Sequence, residues 1–290
     1  MRQLVIVGNL TPTNAALLAA FRDLGKRTSL YPPSTLASTT PLVGAVYLGR
    51  IDVKRSLDGI DEGLEDLREL EAQGARVLNP PAALFRCHDK LTTALALHGA
   101  GVPHPQTELV DLDAPAPPFG PPYVVKPRFG SWGLDVVRCE DSHELKRTLA
   151  MLSTRPWFRA NGALVQELVP SSGRDLRIVI AGGRIVGAVV RTAAPGDWRT
   201  NISLGGTRRR VVPSSDAMSL ALDAAEAVGG DLVGVDLVAA GGAYTVIEVN
   251  GCVDFTSEYG FRGDAFEEAA VALADAAELS DVEPVLLPLR

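Results

Sequence analysis

Short apolar runs alternate with amphipathic stretches over residues 1–86. The runs have the length of buried strands, and the amphipathic stretches have the spacing of helices. The first helical stretch begins at Thr11-Pro12 and ends before Gly25, which places proline in the first turn and glycine just past the end. Strands and helices alternating at this spacing predict a small parallel α/β lobe. Its predicted strands are 4–7, 28–31, 44–48 and 76–78, and its predicted helices are 11–24 and 61–73.

The pattern changes after Asn79-Pro80-Pro81, and residues 87–160 are assigned to a second, central lobe. A helix is predicted over 88–98, and the proline-rich residues 114–122 are predicted to form a loop. An apolar run then ends at a lysine and is followed by a glycine-bearing loop and a second apolar run. This order predicts a β-hairpin whose tip folds over a ligand. Its predicted strands are 123–127 and 134–138.

Residues 161–290 are assigned to a third lobe, in which mostly antiparallel strands have helices on one side, an α+β arrangement. Two glycine pairs, Gly182-Gly183 and Gly241-Gly242, each separate two strand-like runs, and this is a strong hairpin signal. A polar, glycine-rich loop is predicted over 197–207. The predicted strands are 164–168, 175–181, 184–191, 232–238 and 243–249, and the predicted helices are 215–228 and 264–276.

The last hairpin carries three side chains with oxygen atoms. Asp236 lies on one strand, and Glu248 and Asn250 lie two residues apart on the other, so that these two point to the same face. Carboxylates grouped on an apolar hairpin are costly unless a cation offsets their charge. A hard divalent cation with oxygen ligands, such as Mg²⁺ with room left for phosphate, fits this pattern. The alternative is that these are solvent-exposed positions of an ordinary hairpin.

Two lysines precede this acidic cluster at ordered positions. Lys126 ends an apolar strand, and Lys90 lies in the helix predicted over 88–98. After Lys126, the loop Arg128-Phe129-Gly130-Ser131-Trp132-Gly133 contains glycines that let backbone N–H groups approach an anion closely. No Gly-Lys-Ser/Thr follows, so this is not a Walker A loop. Together, the two lysines, the glycine-bearing loop and the acidic cluster indicate a phosphate-binding site.

Two further stretches complete the candidate chemistry. Gln166, Glu167 and Leu168 end a strand that runs into an extended connector, whose backbone groups suit recognition of a purine edge. Arginines on the strands that follow would neutralise charge on a transferring phosphoryl group if they faced it. Taken singly, each is also consistent with a surface position. These arginines are Arg174, Arg177, Arg191 and Arg199.

Composition and charge narrow the partners and the compartment. The chain has 290 residues, of which 46% are hydrophobic, and a net charge of -7, which argues against nucleic acid or an anionic membrane as a partner. Arg208-Arg209-Arg210 opposes that trend and is either a solvated edge or a docking site for an acidic substrate or partner. Three cysteines without a CxxC, no visible signal peptide and no apolar run near the ~20 residues of a membrane span predict a cytoplasmic protein.

In chain order, seven short motifs resemble the ATP-grasp superfamily, and most closely its branch of RimK-type glutamate ligases and LysX-type amino-group-carrier ligases. The motifs are Lys126, Gly130-Ser131-Trp132-Gly133, Gln166-Glu167, Gly173-Arg174-Asp175-Leu176-Arg177, Arg199-Thr200-Asn201, Gly234-Val235-Asp236 and Glu248-Val249-Asn250. The resemblance implies an ATP-grasp fold, in which the N-terminal α/β lobe precedes two α+β lobes that sandwich ATP. It also implies Mg²⁺, as two ions bridged by Glu248, with Mn²⁺ as an alternative.

The resemblance implies a role for each matched position. The residues implied to bind ATP are Lys90, Lys126, Gly130, Ser131, Trp132, Gly133, Gln166, Glu167, Leu168, Asp175, Arg199, Thr200 and Asn201, with 167–168 at the adenine and Asp175 at the ribose. The implied catalytic residues, near the γ-phosphate or the acyl phosphate, are Arg177, Arg191 and Asn201. The implied metal ligands are Asp236, Glu248 and Asn250. The implied substrate residues are Arg174, Arg191, Gly251, Thr256 and Ser257.

Two segments depart from the RimK-type pattern. Trp132 and Asp135 stand where many RimK-type chains have glutamine and glycine. Residues 251–259 replace the small residues and proline that usually follow the last metal ligand. Both segments are closer to LysX, and 251–259 lies where this branch reads its amino-acid substrate.

The activity implied is a two-step ligation. ATP phosphorylates a carboxylate to an acyl phosphate, and the amine of glutamate or a similar acidic amino acid then displaces phosphate. The implied acceptor is either the C-terminal glutamate of a small acidic carrier protein or the glutamyl tail of a pterin or deazaflavin cofactor. A homo-oligomer is also implied. The alternative from a different class is a non-catalytic nucleotide-binding module.

Overall fold

The computed structural model describes residues 3–38, 41–42, 44–112 and 116–279. The first elements are β1 Leu4–Gly8, α1 Pro12–Asp23, β2 Thr28–Tyr31, β3 Val46–Arg50, α2 Leu64–Ala72 and β4 Arg76–Leu78. Their strands form a parallel sheet in the order β2-β1-β3-β4, which confirms the predicted α/β lobe. Thr11 caps α1 by accepting a hydrogen bond from the N–H of Asn14, and Pro12 is its first residue.

Two helices, α3 Pro81–His88 and α4 Lys90–Gly99, replace the single helix predicted over 88–98. Pro81 begins a helix instead of breaking the structure, because the first helical residue has no intrahelical use for an N–H. Asp89 separates the two helices in an extended conformation and caps α4 with its carboxylate. Lys90 is therefore the first residue of α4.

The central lobe contains an antiparallel sheet whose strands are β5 Thr107–Val110, β6 Tyr123–Pro127, β7 Val137–Cys139 and β8 Ala163–Glu167, with the helices α5 Ser142–Leu152 and α6 Pro156–Asn161. Its order is β5-β8-β6-β7, so the sheet continues past the boundary predicted at residue 160. The strand predicted over 134–138 is wrong: the chain turns through Trp132 and Asp135, both at positive φ, and only the end of the run pairs with β6. Residues 114–115 of the predicted loop lie outside the described residues.

The third lobe is an antiparallel sheet in the order β11-β10-β9-β12-β13. Both predicted hairpins are confirmed, and all four of their turn glycines have the positive φ that such tight turns require. The elements are β9 Arg174–Ala181, β10 Arg184–Thr192, β11 Thr207–Arg210, α7 Ser215–Val228, β12 Leu232–Ala240, β13 Ala243–Asn250 and α8 Ala265–Leu279.

Helices cover both faces of this sheet, and not the one face that was predicted. Ile178 and Ile180 of β9 pack in one core with α7. Val179 and Ala181, which alternate with them, pack in another core with α8 and the N-terminal lobe. The first residues of β9 extend beyond this second core, which leaves their side chains free to form a polar site.

Asn79 connects the lobes at the end of β4. Its buried side chain donates to the backbone oxygens of Leu232 (2.8 Å) and Gly251 (3.1 Å) and accepts from the N–H groups of Asp231 and Leu232, both at 2.8 Å. One amide therefore ties the parallel sheet to the start of β12 and to the residue that follows β13.

Among the described helices, none combines the length and apolarity that crossing a bilayer requires.

Candidate functional site

The centre of the site is Asp236, a buried carboxylate held by two arginines from neighbouring strands. Arg177 of β9 is bidentate, with Nε 2.7 Å from Oδ1 and Nη2 2.8 Å from Oδ2. Arg191 of β10 donates its Nη2 to the same Oδ2 at 2.8 Å. Burial alone would raise the pKa of Asp236, but the two guanidiniums outweigh burial and lower it to about 2. Asp236 is therefore an anion at any physiological pH.

Asp175 positions Arg191 from the other side. Its carboxylate accepts from Nε (2.7 Å) and Nη2 (2.5 Å) of Arg191, and from the hydroxyl of Thr200 at 2.5 Å. The carboxylate implied to bind a ribose is thus already engaged by these two side chains. The Arg191 guanidinium therefore donates hydrogen bonds to both Asp175 and Asp236, and these bonds fix its plane.

Lys90 and Asn250 complete the acidic cluster. The Lys90 ammonium forms an ion pair with Oε1 of Glu248. Asn250 donates its Nδ2 to the backbone oxygen of Gly234 and to Oδ2 of Asp236, both at 3.4 Å. Among the described residues, none donates a hydrogen bond to the Asn250 side-chain oxygen, and Lys90 pairs with one of the two Glu248 oxygens.

This donor set fits a magnesium ion. Asp236, Glu248 and Asn250 present carboxylate and amide oxygens from adjacent strands, and β13 brings Glu248 opposite Asp236 in register. Within the described part of the chain, no group of three or more His, Cys, Asp or Glu side chains is arranged to hold a metal. The side-chain oxygen of Asn250 would be the third protein ligand, and an all-oxygen set of this kind is the one that Mg²⁺ prefers.

Lys126 is held in place by a chain of hydrogen bonds that the sequence did not suggest. Its ammonium donates to Oε1 of Gln166 at 2.8 Å, and Gln166 Nε2 contacts the hydroxyl of Thr107 (2.8 Å) and Nε2 of His104 (3.2 Å). His104 Nδ1 lies 2.8 Å from the backbone oxygen of Val246, so Nδ1 carries the proton and Nε2 accepts. Gln166 was implied to bind ATP; it lines the site, and its amide orients Lys126.

Burial gives this lysine an unusual acidity. Desolvation, followed by the nearby charge of Lys90, lowers the pKa of Lys126 to about 7. Burial likewise lowers the pKa of His104 to about 4, which keeps the imidazole neutral and able to accept from Gln166.

The glycine loop lies between the N-terminal and third lobes. Arg199 donates to the backbone oxygen of Gly133 at 3.1 Å, and Ser203 donates to that of Trp132 at 3.1 Å. From the N-terminal lobe, the Arg55 guanidinium stacks over the Trp132 ring, 5.2 Å from its centroid. A β-carbon on Gly133 would come within 2.8 Å of the Asn201 side-chain oxygen. The φ of Gly133, +71°, also lies in the left-handed region, which favours glycine at this position.

These groups surround one cavity of about 420 Å³. The apolar part of its wall, which we call the slot, comes from side chains of the central and third lobes, among them Val124, Leu168, Val238 and Ile247. All the residues implied to bind ATP and metal or to act in catalysis line it: Lys90, Lys126, Gly130, Ser131, Trp132, Gly133, Gln166, Glu167, Leu168, Asp175, Arg177, Arg191, Arg199, Thr200, Asn201, Asp236, Glu248 and Asn250.

Comparison with known proteins agrees with this geometry. A model of the RimK-like ATP-grasp domain matches residues 88–262. The chain belongs to the RimK-like ATP-grasp family. It is 32% identical over 242 residues to "Beta-citrylglutamate synthase B" of Danio rerio, which covers 79% of this chain and 56% of that protein. It is also 32% identical to "Tetrahydromethanopterin:alpha-L-glutamate ligase" of Methanosarcina acetivorans, over 71% of this chain and 67% of that protein. The chain thus spans between about half and two thirds of these curated relatives.

Solved structures share the fold of this RimK-like chain. A RimK domain ATP-grasp protein from Sphaerobacter thermophilus aligns with a TM-score of 0.68 and 22% identity, over 93% of this chain and 99% of that one. D-alanine–D-alanine ligase from Bacillus anthracis in complex with ATP aligns with a TM-score of 0.69 and 16% identity, over 97% of this chain and 98% of that one. These likenesses confirm the ATP-grasp fold.

Four residues implied to hold the substrate of this RimK-like domain do not line the cavity: Arg174, Gly251, Thr256 and Ser257. Arg174 is exposed and alternates along β9 with the site residues Asp175 and Arg177, so it projects from the opposite face. Gly251 packs on Cys87 of α3. The Thr256 hydroxyl is buried, with no hydrogen-bond partner among the described residues, and Ser257 is exposed.

Other residues of the same region reach the cavity instead. Cys252, Asp254 and Tyr259 line it, as does Asp52 from the N-terminal lobe. Burial raises the pKa of Asp52. A signal for Asp52 was present in the sequence, because it comes two residues after a buried strand of a parallel sheet, and ligands bind at the carboxyl ends of such strands.

Proposed function

We propose that this protein is an ATP-dependent carboxylate–amine ligase that works through an acyl phosphate. The observation that carries the proposal is Asp236, shared by Arg177 and Arg191 and placed beside the Lys90–Glu248 pair in one cavity. Oxygens suited to a metal and the cationic side chains of Lys90, Arg177 and Arg191 therefore surround the same space. That arrangement suits transfer of a phosphoryl group, whose catalysis is mainly positioning and charge stabilisation.

Each group has a defined task in this proposal. Lys90 and Lys126 bind the phosphates of ATP, and the apolar slot with residues 167–168 receives the adenine. The N–H of Leu168 already donates to the backbone oxygen of Pro122 at 3.1 Å, so other backbone groups of this connector read the base. When bound at Asp236, Glu248 and Asn250, Mg²⁺ would neutralise charge on the phosphate oxygens.

Arg191 and Arg177 stabilise the phosphoryl group during transfer. Both guanidiniums are fixed by carboxylates before any substrate binds, so little reorganisation is needed when charge develops. Asn201 lies beside Gly133 and faces the same space, where it orients the transferred group. The carboxylate oxygen of one substrate attacks the γ-phosphorus and ADP leaves; the amine of the other then attacks the acyl carbon and phosphate leaves.

Glutamate, or a similar acidic amino acid, is the proposed amine. The relatives support this choice by name, since the products or substrates of the zebrafish and archaeal proteins contain glutamate, as does that of "N-acetylaspartylglutamate synthase A" of Mus musculus. The proposed acceptor is the glutamyl carboxylate of a small carrier protein or of a pterin or deazaflavin cofactor. A homo-oligomer stays a prediction.

A non-catalytic nucleotide-binding module is the second candidate. It would need the slot and the lysines but not Asp236, Glu248 and Asn250 together. These three side chains lie on adjacent strands and face the same cavity. Asp236 also accepts hydrogen bonds from Arg177 and Arg191. That set favours catalysis.

The test is amino-acid-dependent release of ADP and phosphate from MgATP, with glutamate and each class of acceptor. Glu248→Gln should abolish turnover and leave the thermal midpoint nearly unchanged, because this side chain is not part of an apolar core. Glu258→Gln, on an exposed side chain outside the cavity, is the matched control. Nucleotide binding without any acceptor-dependent turnover would favour the binding module, and full activity of Glu248→Gln would refute the metal assignment.

A further inference from the structure

The edge strand β11 presents its arginines in two directions. In register, Arg208 lies opposite Arg191, Arg209 opposite Val190, and Arg210 opposite Val189. Side chains alternate along a strand, so Arg208 and Arg210 share the face of Arg191, and Arg209 projects from the other face. The three consecutive arginines of the sequence therefore project from two different faces of the sheet.

Arg208 is held at the cavity, and Arg210 is held beside it on the same face of β11. Arg208 lines the cavity, and its guanidinium carbon lies 5.8 Å from the ring centroid of the buried Tyr259. Arg210 donates Nη1 to the backbone oxygen of Gly260 at 3.2 Å. The Tyr259 backbone can lie against β10 because residue 187 is glycine, where a β-carbon would come within 2.4 Å of the Tyr259 oxygen.

The charge of these two arginines is not neutralised internally. Arg177 and Arg191 are balanced by Asp175 and Asp236. For the described residues, by contrast, no carboxylate forms an ion pair with any of the three arginines of β11. Asp254, which also lines the cavity, accepts a hydrogen bond from Thr13 of α1 at 2.8 Å. In a chain of net charge -7, this leaves a local excess of positive charge beside the reaction centre.

We propose that Arg208 and Arg210 form a subsite for a carboxylate that is not consumed in the reaction. This inference rests on the proposed ligase function and adds that one co-substrate carries a second, spectator carboxylate. A guanidinium binds a carboxylate through two parallel hydrogen bonds, and the Tyr259 ring fixes the orientation of Arg208. The carboxylate belongs either to the amino acid that supplies the amine or to the acceptor.

Neutralising each arginine in turn tests the subsite. Arg208→Gln should raise the KM for the carboxylate-bearing co-substrate about tenfold, which is the loss of one charged hydrogen bond, and leave the KM for ATP unchanged. Arg209→Gln removes the same charge from the same strand on the opposite face and should change neither constant. Arg210→Gln should act in the direction of Arg208→Gln.

The source of the carboxylate follows from which KM changes. A rise in the KM for glutamate alone assigns the amino acid, and a rise for the acceptor alone assigns the acceptor. Equal co-substrate constants for Arg208→Gln and Arg209→Gln would overturn the subsite, as would a rise confined to the KM for ATP. Neither result would contradict the proposed ligase activity, because that activity is tested separately by the turnover of the unmodified protein.

A binding measurement keeps the inference testable without turnover. L-Glutamate and glutarate are titrated calorimetrically onto the protein with Mg²⁺ and a non-hydrolysable ATP analogue. Affinity lost in Arg208→Gln and kept in Arg209→Gln supports the subsite. Equal affinities in the two variants, together with a KM for the acceptor that is also equal in both, would overturn it.

Discussion

The Lys126 ammonium donates a 2.8 Å hydrogen bond to the Gln166 side-chain oxygen, and that oxygen is oriented by His104 and Thr107. Reversing the amide would place its NH₂ group against the ammonium. The position of the Lys126 ammonium therefore depends on an imidazole that does not contact it.

We expect Gln166→Leu to raise the KM for ATP about tenfold, because the buried ammonium loses its acceptor and its position. Steady-state kinetics at saturating co-substrate measure this. Thr107→Val is the control: it removes one acceptor from the Gln166 amide but leaves His104, so its effect should be much smaller. Equal effects of the two variants would contradict the role given to Gln166.

ATP binding should weaken as the pH rises above about 7. Lys126 has a pKa of about 7 in the free protein, and an adjacent phosphate raises it by favouring the charged form. Below pH 7 the lysine is protonated in both states, and affinity is flat. Above it, binding must take up a proton, so Kd rises by up to about tenfold per pH unit until the pKa of the complex is reached. Calorimetry at several pH values measures the slope.

Lys126→Arg separates this effect from other titrations. Arginine stays charged across this range, so the variant should bind ATP with a nearly pH-independent Kd, even if its affinity is lower overall. Proton uptake should also disappear when heats are compared in two buffers of different ionisation enthalpy. An unchanged slope in Lys126→Arg would assign the pH dependence to another group.

Asp236→Asn should destabilise the fold by about 3–5 kcal/mol, since it leaves Arg177 and Arg191 buried with too little negative charge. Asp197→Asn breaks the partly exposed pair with Arg199 and should cost no more than about 1 kcal/mol. Urea unfolding at neutral pH compares them. Similar losses in both variants would show that the Asp236 cluster is not a coupled buried network.

Arg55→Ala should loosen the glycine loop, because it removes the stack on Trp132, one of the contacts that the N-terminal lobe makes with the loop. A cation over an indole at a surface contributes roughly 0.5–1 kcal/mol, so amide exchange over 130–135 should accelerate a few-fold. Lys54→Ala, its exposed neighbour, is the matched control. No difference between the variants would mean that the Arg55 stack contributes nothing to holding the loop, and that its other contacts, such as those of Arg199 and Ser203, suffice.

The sequence predicted those parts of the molecule that local chemistry determines. The glycine pairs predicted both hairpins. The alternation of side chains along a strand predicted that Glu248 and Asn250 lie on the same face. Alternation along β9 also places Arg174 on the face opposite Asp175 and Arg177, and its substrate role was implied by the resemblance alone. Which face of β9 meets Asp236 depends on the register of β9 against β12, which is a tertiary property.

Longer-range contacts explain the remaining differences. The turn through Trp132 and Asp135 is stabilised partly by Arg199 and Ser203 of another lobe, and nothing local in 134–138 distinguishes it from a strand. His104 was overlooked because its partners, Gln166 and Val246, are distant in sequence. The prolines before α3 predict a break in the pattern, although proline is also common in the first turn of a helix.

The cavity takes Asp52 from the first lobe, Lys126 from the second and Asp236 from the third, and Asn79 joins the first lobe to the third. No lobe alone has both the slot and the charges. During refolding, affinity for nucleotide would therefore emerge at the final docking of the lobes and not at the earlier collapse of any one of them. A fluorescent ATP analogue would count assembled molecules, while circular dichroism would also count those with separately folded lobes.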